Sequence, residues 1–310
     1  LLECNIKIAK LRLTHPESFS TSRTATVDIV IPVFNALEDV KRCLASLEMN
    51  ADDVNVHLII VNDGSDAVTT QWLRARCTDT SRFTLIEHPG NLGYTKAVNT
   101  GLRASVAPYV ITQNSDTIVS RGWLRGMLRC IESSPSIGIV GPLSNAATWQ
   151  NVPILRDETG SFAVNTLPPG VDVDRMARLV AGISARAYPR LPFINGFCFM
   201  LRRAVIEAIG YMDEITFPIG YGEEIDYCIR AADAGFELAV ADDVFVFHAK
   251  SRSFGQERRK ALSVQGFQAL KQKHSREKYF ERAKIADDSN ELRAIREQIK
   301  AALDQFAPPR

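Results

Sequence analysis

The sequence predicts an α/β fold with a mostly parallel central sheet flanked by helices and a helical C-terminal tail. Three observations predict it. Short β-branched runs recur through the first third of the chain, each stops at a polar or Pro/Gly turn, and a helical pattern follows, as in a parallel βαβ sheet. With 310 residues and 45% hydrophobic content, the chain can bury one large core plus appendages.

The first run, Val27 to Asn35, closes on Pro32-Val33-Phe34-Asn35, and a helical pattern spans Leu37 to Met49. The second, Val56 to Ser65, closes on Asn62-Asp63-Gly64-Ser65 before a helical pattern from Val68 to Arg76, which puts Asp63 at a strand end. The third unit pairs a strand at Phe83 to Glu87 with Asn91-Leu92-Gly93-Tyr94, which opens a helix running toward Gly101. Gly93 permits close backbone approach, the helix N-terminus presents free N–H groups, and Lys96 adds a charge, so this turn can take a phosphate. Neither a dinucleotide fingerprint nor a P-loop occurs.

A fourth strand, Tyr109 to Thr112, stops at Gln113-Asn114-Ser115-Asp116. It delivers an oxygen-rich turn to the carboxyl end of the sheet, where open α/β sheets bind ligands. Asp116 with Asn114 offers hard oxygen ligands to Mg²⁺ or Mn²⁺. The same three residue types also make an ordinary self-capping turn. Much later, Glu223, Glu224 and Asp226 open a helix from Glu223 to Ala234, where carboxylates favour the positive dipole end. Asp226 and Arg230 stand at i and i+4 and can pair. The apolar run Leu238 to Phe247 reads as a strand leading into His248, which is either a ligand or a structural hydrogen-bonding residue.

Taken in order, Pro32-Val33-Phe34-Asn35, Asn62-Asp63-Gly64-Ser65, Asn91-Leu92-Gly93-Tyr94, Asn114-Ser115-Asp116 and Gly222-Glu223-Glu224-Ile225-Asp226 resemble the motifs of family-2 glycosyltransferases with the GT-A fold. The match runs from about Val27 to Phe254. Pro142 to Thr148 and Asn195 to Phe199 are similar to the branch that builds bacterial surface polysaccharides, rhamnosyltransferases included. The resemblance implies that Pro32, Phe34 and Asn35 line a nucleotide pocket and that Asp63 accepts a hydrogen bond from a pyrimidine base. It places Asn91, Gly93, Lys96, Asn114 and Ser115 beside ribose and diphosphate, and makes Asp116, His248 and Asn114 the metal site. Lys250, Arg252 and Ser253 would hold the departing diphosphate. Glu224 takes the role of base where the family more often has Asp, with Glu223 beside it.

On this reading 1–26 is an extension or linker, 27–117 the nucleotide-sugar half, 118–254 the acceptor half and 255–310 a basic helical tail. Pro142 to Pro192, with one amphipathic pattern at Val173 to Arg186, is long enough for an acceptor-side lid, in which Trp149 could stack on a sugar or serve as a packing anchor. Asn195 and Gly196 would also meet the acceptor. The implied activity is inverting, metal-dependent transfer from a UDP- or dTDP-sugar to a glycan or lipid-linked saccharide. Direct displacement needs a base and a cation but no nucleophilic side chain. The alternative is a degenerate domain that binds glycan or scaffolds a larger enzyme.

A formal net charge of +1 argues against a nucleic-acid binder. The six cysteines are dispersed without a C-x-x-C pair, which suits reduced core thiols in a cytoplasmic protein. No run of eighteen apolar residues exists. The first residue is Leu, so the chain reads as a segment of a longer protein in which Ile6, Ile8, Leu11 and Leu13 could pack on the main domain. From Gln256 to Lys284 nine Lys or Arg face three Glu, a composition for a solvated helix or one lying on an anionic membrane at the inner face of the cell. Asn290 to Phe306 reads as one more helix.

Overall fold

A computed structural model describes residues 26–51, 54–250 and 256–305, with backbone alone for 256–260. In chain order the strands are β1 (Val27–Val33), β2 (Val56–Asn62), β3 (Phe83–Glu87), β4 (Tyr109–Gln113), β5 (Thr117–Ile118), β6 (Ile137–Leu143), β7 (Cys198–Arg202), β8 (Glu237–Phe245) and β9 (Phe247–His248). The helices are α1 (Leu37–Met49), α2 (Ala67–Arg76), α3 (Tyr94–Ala104), α4 (Trp123–Glu132), α5 (Val173–Ile183), α6 (Arg203–Ile209), α7 (Glu223–Asp233), α8 (Gln256–Lys273), α9 (Arg276–Asp287) and α10 (Asn290–Asp304).

Seven strands form one sheet in the order β3-β2-β1-β4-β7-β6-β8, and β5 pairs separately with β9. The first four run parallel, as the β-branched runs predict. β7 is antiparallel to both β4 and β6, and it joins the parallel β3-β2-β1-β4 block to the rest in a single sheet. Side chains of β1 alternate between two cores. Ile29 and Ile31 pack with α1 and α4 residues such as Leu44 and Leu124, while Val30 meets Val98 and Leu102 of α3 on the other face. Pro32 sits inside β1 rather than at its end. The β1–β4 ladder ends at Val30 and Thr112, so the missing N–H of Pro32 leaves no bond unmade there.

Several expected boundaries shift. α2 starts one residue earlier because the Asp66 carboxylate accepts from the Thr69 N–H at 2.8 Å. α5 stops at Ile183, short of Arg186, whose backbone is left-handed at φ 53°. The apolar run to Phe247 is divided between β8 and β9. The stretch expected as a lid is a packed layer: Val152, Val171, Met176, Val180 and Leu191 belong to the main core.

The tail also differs from expectation. It is two helices, broken at Ser275, whose hydroxyl caps α9 by accepting from the Lys278 N–H at 3.1 Å. Three of its cations pair with the body of the protein: Lys273 reaches Asp213 at 2.7 Å, and Lys278 and Arg282 reach Asp233 at 2.6 and 2.9 Å, while Lys271, Arg276 and Lys284 are exposed. In α10, Leu292, Ile295 and Ile299 enter the main core. No helix among the described residues is long and apolar enough to cross a membrane. Cys43, Cys77, Cys130, Cys198 and Cys228 are free and buried, and burial pushes Cys43 up to about 12, as expected of inert core thiols. Cys4, the apolar positions of 1–25, and Arg252, Ser253 and Phe306 lie outside the described residues.

α8 touches the body backbone to backbone, since a Cβ at Gly266 would overlap the carbonyl of Tyr221. Gly266→Ala should therefore lower stability by about 1–3 kcal/mol, the cost of overpacking. Gly182→Ala in α5 meets nothing within 4 Å and should be neutral or gain up to about 1 kcal/mol from helix propensity. Urea denaturation of both variants checks the contrast.

Candidate active site

Three loops at the carboxyl ends of β1, β2 and β3 interlock. The Asp63 N–H donates to Val33 O at 2.8 Å, the Asn35 N–H to Ser65 Oγ at 2.9 Å, and the Asp66 N–H to Asn35 Oδ1 at 2.8 Å. Asn35 and Ala36 are both left-handed, with φ of 58° and 54°, and this kink turns the half-buried Phe34–Ala36 segment toward the β2 loop.

Asp63 is buried, and its carboxylate is occupied. Oδ1 meets His88 Nδ1 at 2.7 Å and the Leu92 N–H at 2.9 Å, while Oδ2 accepts from the Gly93 N–H at 3.0 Å. Its observed work is to fix the 91–93 turn, and a pyrimidine base would have only the remaining lone pair of Oδ2. His88 was not expected from sequence, although it stands one residue past β3, and its second ring nitrogen meets Thr100 Oγ1 at 3.1 Å. Asn91 and Lys96 are exposed at the entrance to α3. Gly93 has φ 100°, and an added Cβ would overlap the Pro218 carbonyl, so the start of α3 lies directly under the segment that leads into α7.

The Asn114–Thr117 turn is held by its own side chains. Thr117 Oγ1 donates to Asn114 O at 2.9 Å and accepts from Gln113 Nε2 at 2.6 Å, and the Asn114 N–H donates to Phe197 O at 2.8 Å. Thr117 then pairs antiparallel with His248, and the Ala249 N–H donates to Asp116 O at 2.9 Å. This two-residue ribbon places His248 Nε2 3.4 Å from Asp116 Oδ1. His248 is fixed on every other side. Its ring stacks on Phe197 with centroids 5.0 Å apart, Nδ1 donates to Ala146 O at 2.9 Å, and Asn145 clamps its backbone N–H and C=O at 2.8 and 3.0 Å. With Nδ1 committed to a carbonyl, Nε2 is the ring atom turned to the Asp116 carboxylate, and a nitrogen and an oxygen so placed form a donor set that a divalent cation fits. Among the described residues no group of three or more His, Cys, Asp or Glu forms a metal cage. The pair therefore suits Mn²⁺ or Mg²⁺ completed by substrate oxygens.

Glu223 and Glu224 share one donor: the Gly222 N–H reaches Glu223 Oε2 at 3.0 Å and Glu224 Oε2 at 3.2 Å. Burial pushes both carboxyls up, and the charge of Glu224 pushes Glu223 further, well above the usual carboxylate range. Burial beside one another favours a proton shared by the pair over two full charges. The backbone that presents them is left-handed at three successive residues, Gly220, Tyr221 and Gly222. Tyr94, not singled out from sequence, stands between the acids and the Asn114 turn. Its hydroxyl donates to Asn114 Oδ1 at 2.9 Å, and burial, then Glu223, Glu224 and Asp116, keep it protonated by raising it well above 10. That bond occupies the same Asn114 oxygen that the sequence offers to a metal. Ser115 is half-buried beside it.

Asp226 is fully buried and anchors α7. Oδ2 accepts from Arg230 Nε at 2.9 Å, as its spacing predicts, and Oδ1 meets Lys273 and His274 of α8 and its following turn at 2.9 and 2.7 Å. Burial alone would raise this carboxyl, but Lys273, His274 and Arg230 outweigh it and hold it below 3.8.

On the expected acceptor side, Gly196 lies against Glu224, whose Cβ would be 3.2 Å from a Cβ placed there. Asn195 is half-buried and turns its Oδ1 back to the Phe197 N–H at 3.2 Å. Trp149 is a packing anchor instead of a sugar platform. It is 4% exposed, lies between Phe162 and Phe193 at 5.0 and 5.4 Å, and its indole N–H donates to Asp287 at 2.9 Å. Pro32, buried within β1, is likewise absent from the loop surface.

The sequence model of the family described as Glycosyl transferase family 2 matches residues 28–210, more than half of the chain. A pre-mycofactocin glycosyltransferase of Mycobacterium tuberculosis is 26% identical over 252 residues, 79% of this chain and 48% of its own length. The glycosyltransferase AglE of Haloferax volcanii is 24% identical over 247 residues, 79% of this chain and 73% of its own. The chain thus spans about half the length of the mycobacterial relative. A solved mannosyltransferase from Pyrobaculum calidifontis, in complex with GDP-Man and Mn²⁺, has a TM-score of 0.59 at 16% identity over 93% of this chain and 77% of that one. GalNAc-T7 with UDP, GalNAc and Mn²⁺ gives 0.53 at 15% identity, covering 72% and 43%. These structural likenesses show the GT-A fold.

The Asp226 cluster predicts an acid-sensitive contribution to stability. A carboxyl held below its unfolded value stabilises the fold above that value and loses the contribution as pH falls through the folded one. Asp226→Asn should cost roughly 3 kcal/mol at pH 7, and the gap from wild type should close below about pH 4. Urea denaturation across pH measures this.

Proposed function

This chain belongs to glycosyl transferase family 2, and on that premise we propose that it is an inverting, metal-dependent glycosyltransferase. The donor is a nucleoside-diphosphate sugar, UDP- or dTDP-linked, and the acceptor is a hydroxyl of a saccharide or lipid-linked saccharide. Surface-polysaccharide synthesis is the process its motifs best fit. The observation that carries the reading is the cluster around Tyr94, where Asp116, Glu223 and Glu224 come from distant parts of the chain.

The donor diphosphate would lie by the exposed Asn91 and Lys96 at the entrance to α3, where the Lys96 ammonium favours negative charge. Asp116 and His248 would hold the divalent ion, which when bound offsets the charge gathering on the leaving diphosphate. Asn91 and Gly93, fixed through Asp63, shape the wall on the nucleotide side. Glu224 takes the proton of the acceptor hydroxyl as its oxygen bonds to the anomeric carbon and the bond from that carbon to the diphosphate breaks. Attack from the face opposite the leaving group inverts the centre and requires no covalent intermediate. Glu223 accepts from the Gly222 N–H and keeps the turn that presents Glu224 in place.

Glu224→Gln keeps shape and hydrogen bonding but removes the basic carboxylate, so donor affinity should persist while transfer falls about 10²- to 10⁴-fold. Glu223→Gln should cost less in kcat, and single-turnover assays at saturating donor compare the two. Asp116→Ala should remove the dependence of UDP or dTDP affinity on Mn²⁺ while leaving the melting temperature near wild type. Calorimetry with and without metal reads this, and full metal-dependent affinity in the variant would contradict the assignment.

A further inference from the structure

Asp213 and Asp226 bracket the twelve residues that carry Glu223 and Glu224. Both acids meet at one ammonium: Lys273, the last residue of α8, reaches Asp213 Oδ2 at 2.7 Å and Asp226 Oδ1 at 2.9 Å. Each acid is built into its own end of the segment. Asp213 Oδ1 accepts from the Ile215 and Thr216 N–H at 3.1 and 2.9 Å, and Asp226 is held within α7 by Arg230 at 2.9 Å. The first part of the segment lies along α3. Asn99 holds Met212 by its N–H and its C=O at 3.0 and 2.8 Å, Thr95 Oγ1 donates to Phe217 O, and the Pro218 carbonyl lies against Gly93. Beyond Pro218 the backbone turns through Gly220, Tyr221 and Gly222, all at positive φ, before it enters α7. That turn packs on Phe217 and α8, since a Cβ on Gly222 would come within 2.9 Å of Phe217 and 3.2 Å of Leu270. Apolar packing fills space without direction, whereas an ammonium between two carboxylates sets the distance between the ends of the segment.

We propose that Lys273 is a positioning residue for the reaction, a staple from the C-terminal tail that closes the 213–226 segment and sets where the Glu223 and Glu224 carboxylates stand. The inference rests on the transferase reading. It makes a tail outside the matched family region, residues 28–210, necessary to the rate. A catalytic group displaced by about 1 Å can lose about 10²-fold in rate, so the staple matters to transfer more than to donor binding.

The test uses the whole chain with Mn²⁺, UDP- and dTDP-hexoses as donors and p-nitrophenyl hexosides as acceptors, in single-turnover assays at saturating donor. Lys273→Met keeps the stem and removes the ammonium. Asp213→Asn keeps an oxygen to cap Ile215 and Thr216 while removing the charge. It leaves Lys273 on the buried Asp226, so it reads the staple even where Lys273→Met unfolds the chain. Each variant should slow transfer about 10- to 100-fold. Metal-dependent UDP affinity should stay within about twofold, because the contacts of the segment with α3 remain. The double variant should be no slower than Lys273→Met alone, since a staple cut at either end is already open. A rate within about threefold of wild type in Asp213→Asn, whatever its melting temperature, would overturn the proposal. So would losses that multiply in the double variant, which mark two independent roles, or a loss of UDP affinity equal to the loss of rate, which marks general loosening. A wild-type chain that transfers to none of the acceptors and hydrolyses no donor would overturn the transferase reading itself, and this one with it.

Discussion

The candidate site depends on a two-residue antiparallel ribbon, in which Thr117 pairs with His248 and Ile118 with Phe247. It stitches the end of β4 to the segment after β8, so an aspartate from one half of the chain and a histidine from the other meet at 3.4 Å. The ribbon is too short to hold itself. Neighbours fix it instead: the Asn145 side chain clamps the backbone of His248, Phe197 covers its ring, and the Ala249 N–H binds Asp116 O. Phe197 also accepts from the Asn114 N–H, so β7 fixes both members of the pair.

A second constraint is electrostatic. Glu223 and Glu224 are set in low-dielectric surroundings beside one another, and a carboxyl whose folded pKa is raised destabilises the fold as pH climbs through it. Three residues along the same helix, Asp226 carries the opposite sign of effect, kept ionised by Lys273, His274 and Arg230. One turn of α7 therefore combines a destabilised pair that suits proton transfer with a stabilised anchor that keeps the pair in place. The anchor draws two of its three partners, Lys273 and His274, from the tail, which makes the C-terminal helices part of the site's support. A buried carboxylate held by charged and hydrogen-bonding partners is costly to break and holds geometry well.

Much of the nucleotide half was readable from the chain. Its strands are buried on both faces, so β1 and β2 appear as unbroken β-branched runs, and their polar closures mark the loops that carry Asn35, Asp63 and Asp116. The antiparallel insertion of β7 was not readable, because a five-residue apolar run such as Cys198–Arg202 has no directional signal. Tyr94 was visible within its motif but carried no assigned role, since nothing local reveals that Asn114 lies beside it. His88 was hidden for the same reason: its partner Asp63 is adjacent only through the β2–β3 pairing. Composition hid part of the tail's role, because Lys273, Lys278 and Arg282 find their partners Asp213, Asp226 and Asp233 elsewhere in the sequence. Trp149 could be read either way from the sequence, and the structure decides for the packing anchor because its loop is a core layer.

The central claim is that Asp116 and His248, joined by the ribbon, form the cation site of a donor pocket. Anomalous diffraction from crystals grown with Mn²⁺ and UDP measures it most directly. The account predicts a manganese peak bridging Asp116 Oδ1 and His248 Nε2 at about 2.0–2.4 Å, with UDP phosphate oxygens completing the coordination and the uridine toward the Asn35, Asp63 and Asn91 loops. A peak away from this pair, or UDP bound there with no metal at saturating Mn²⁺, would contradict it.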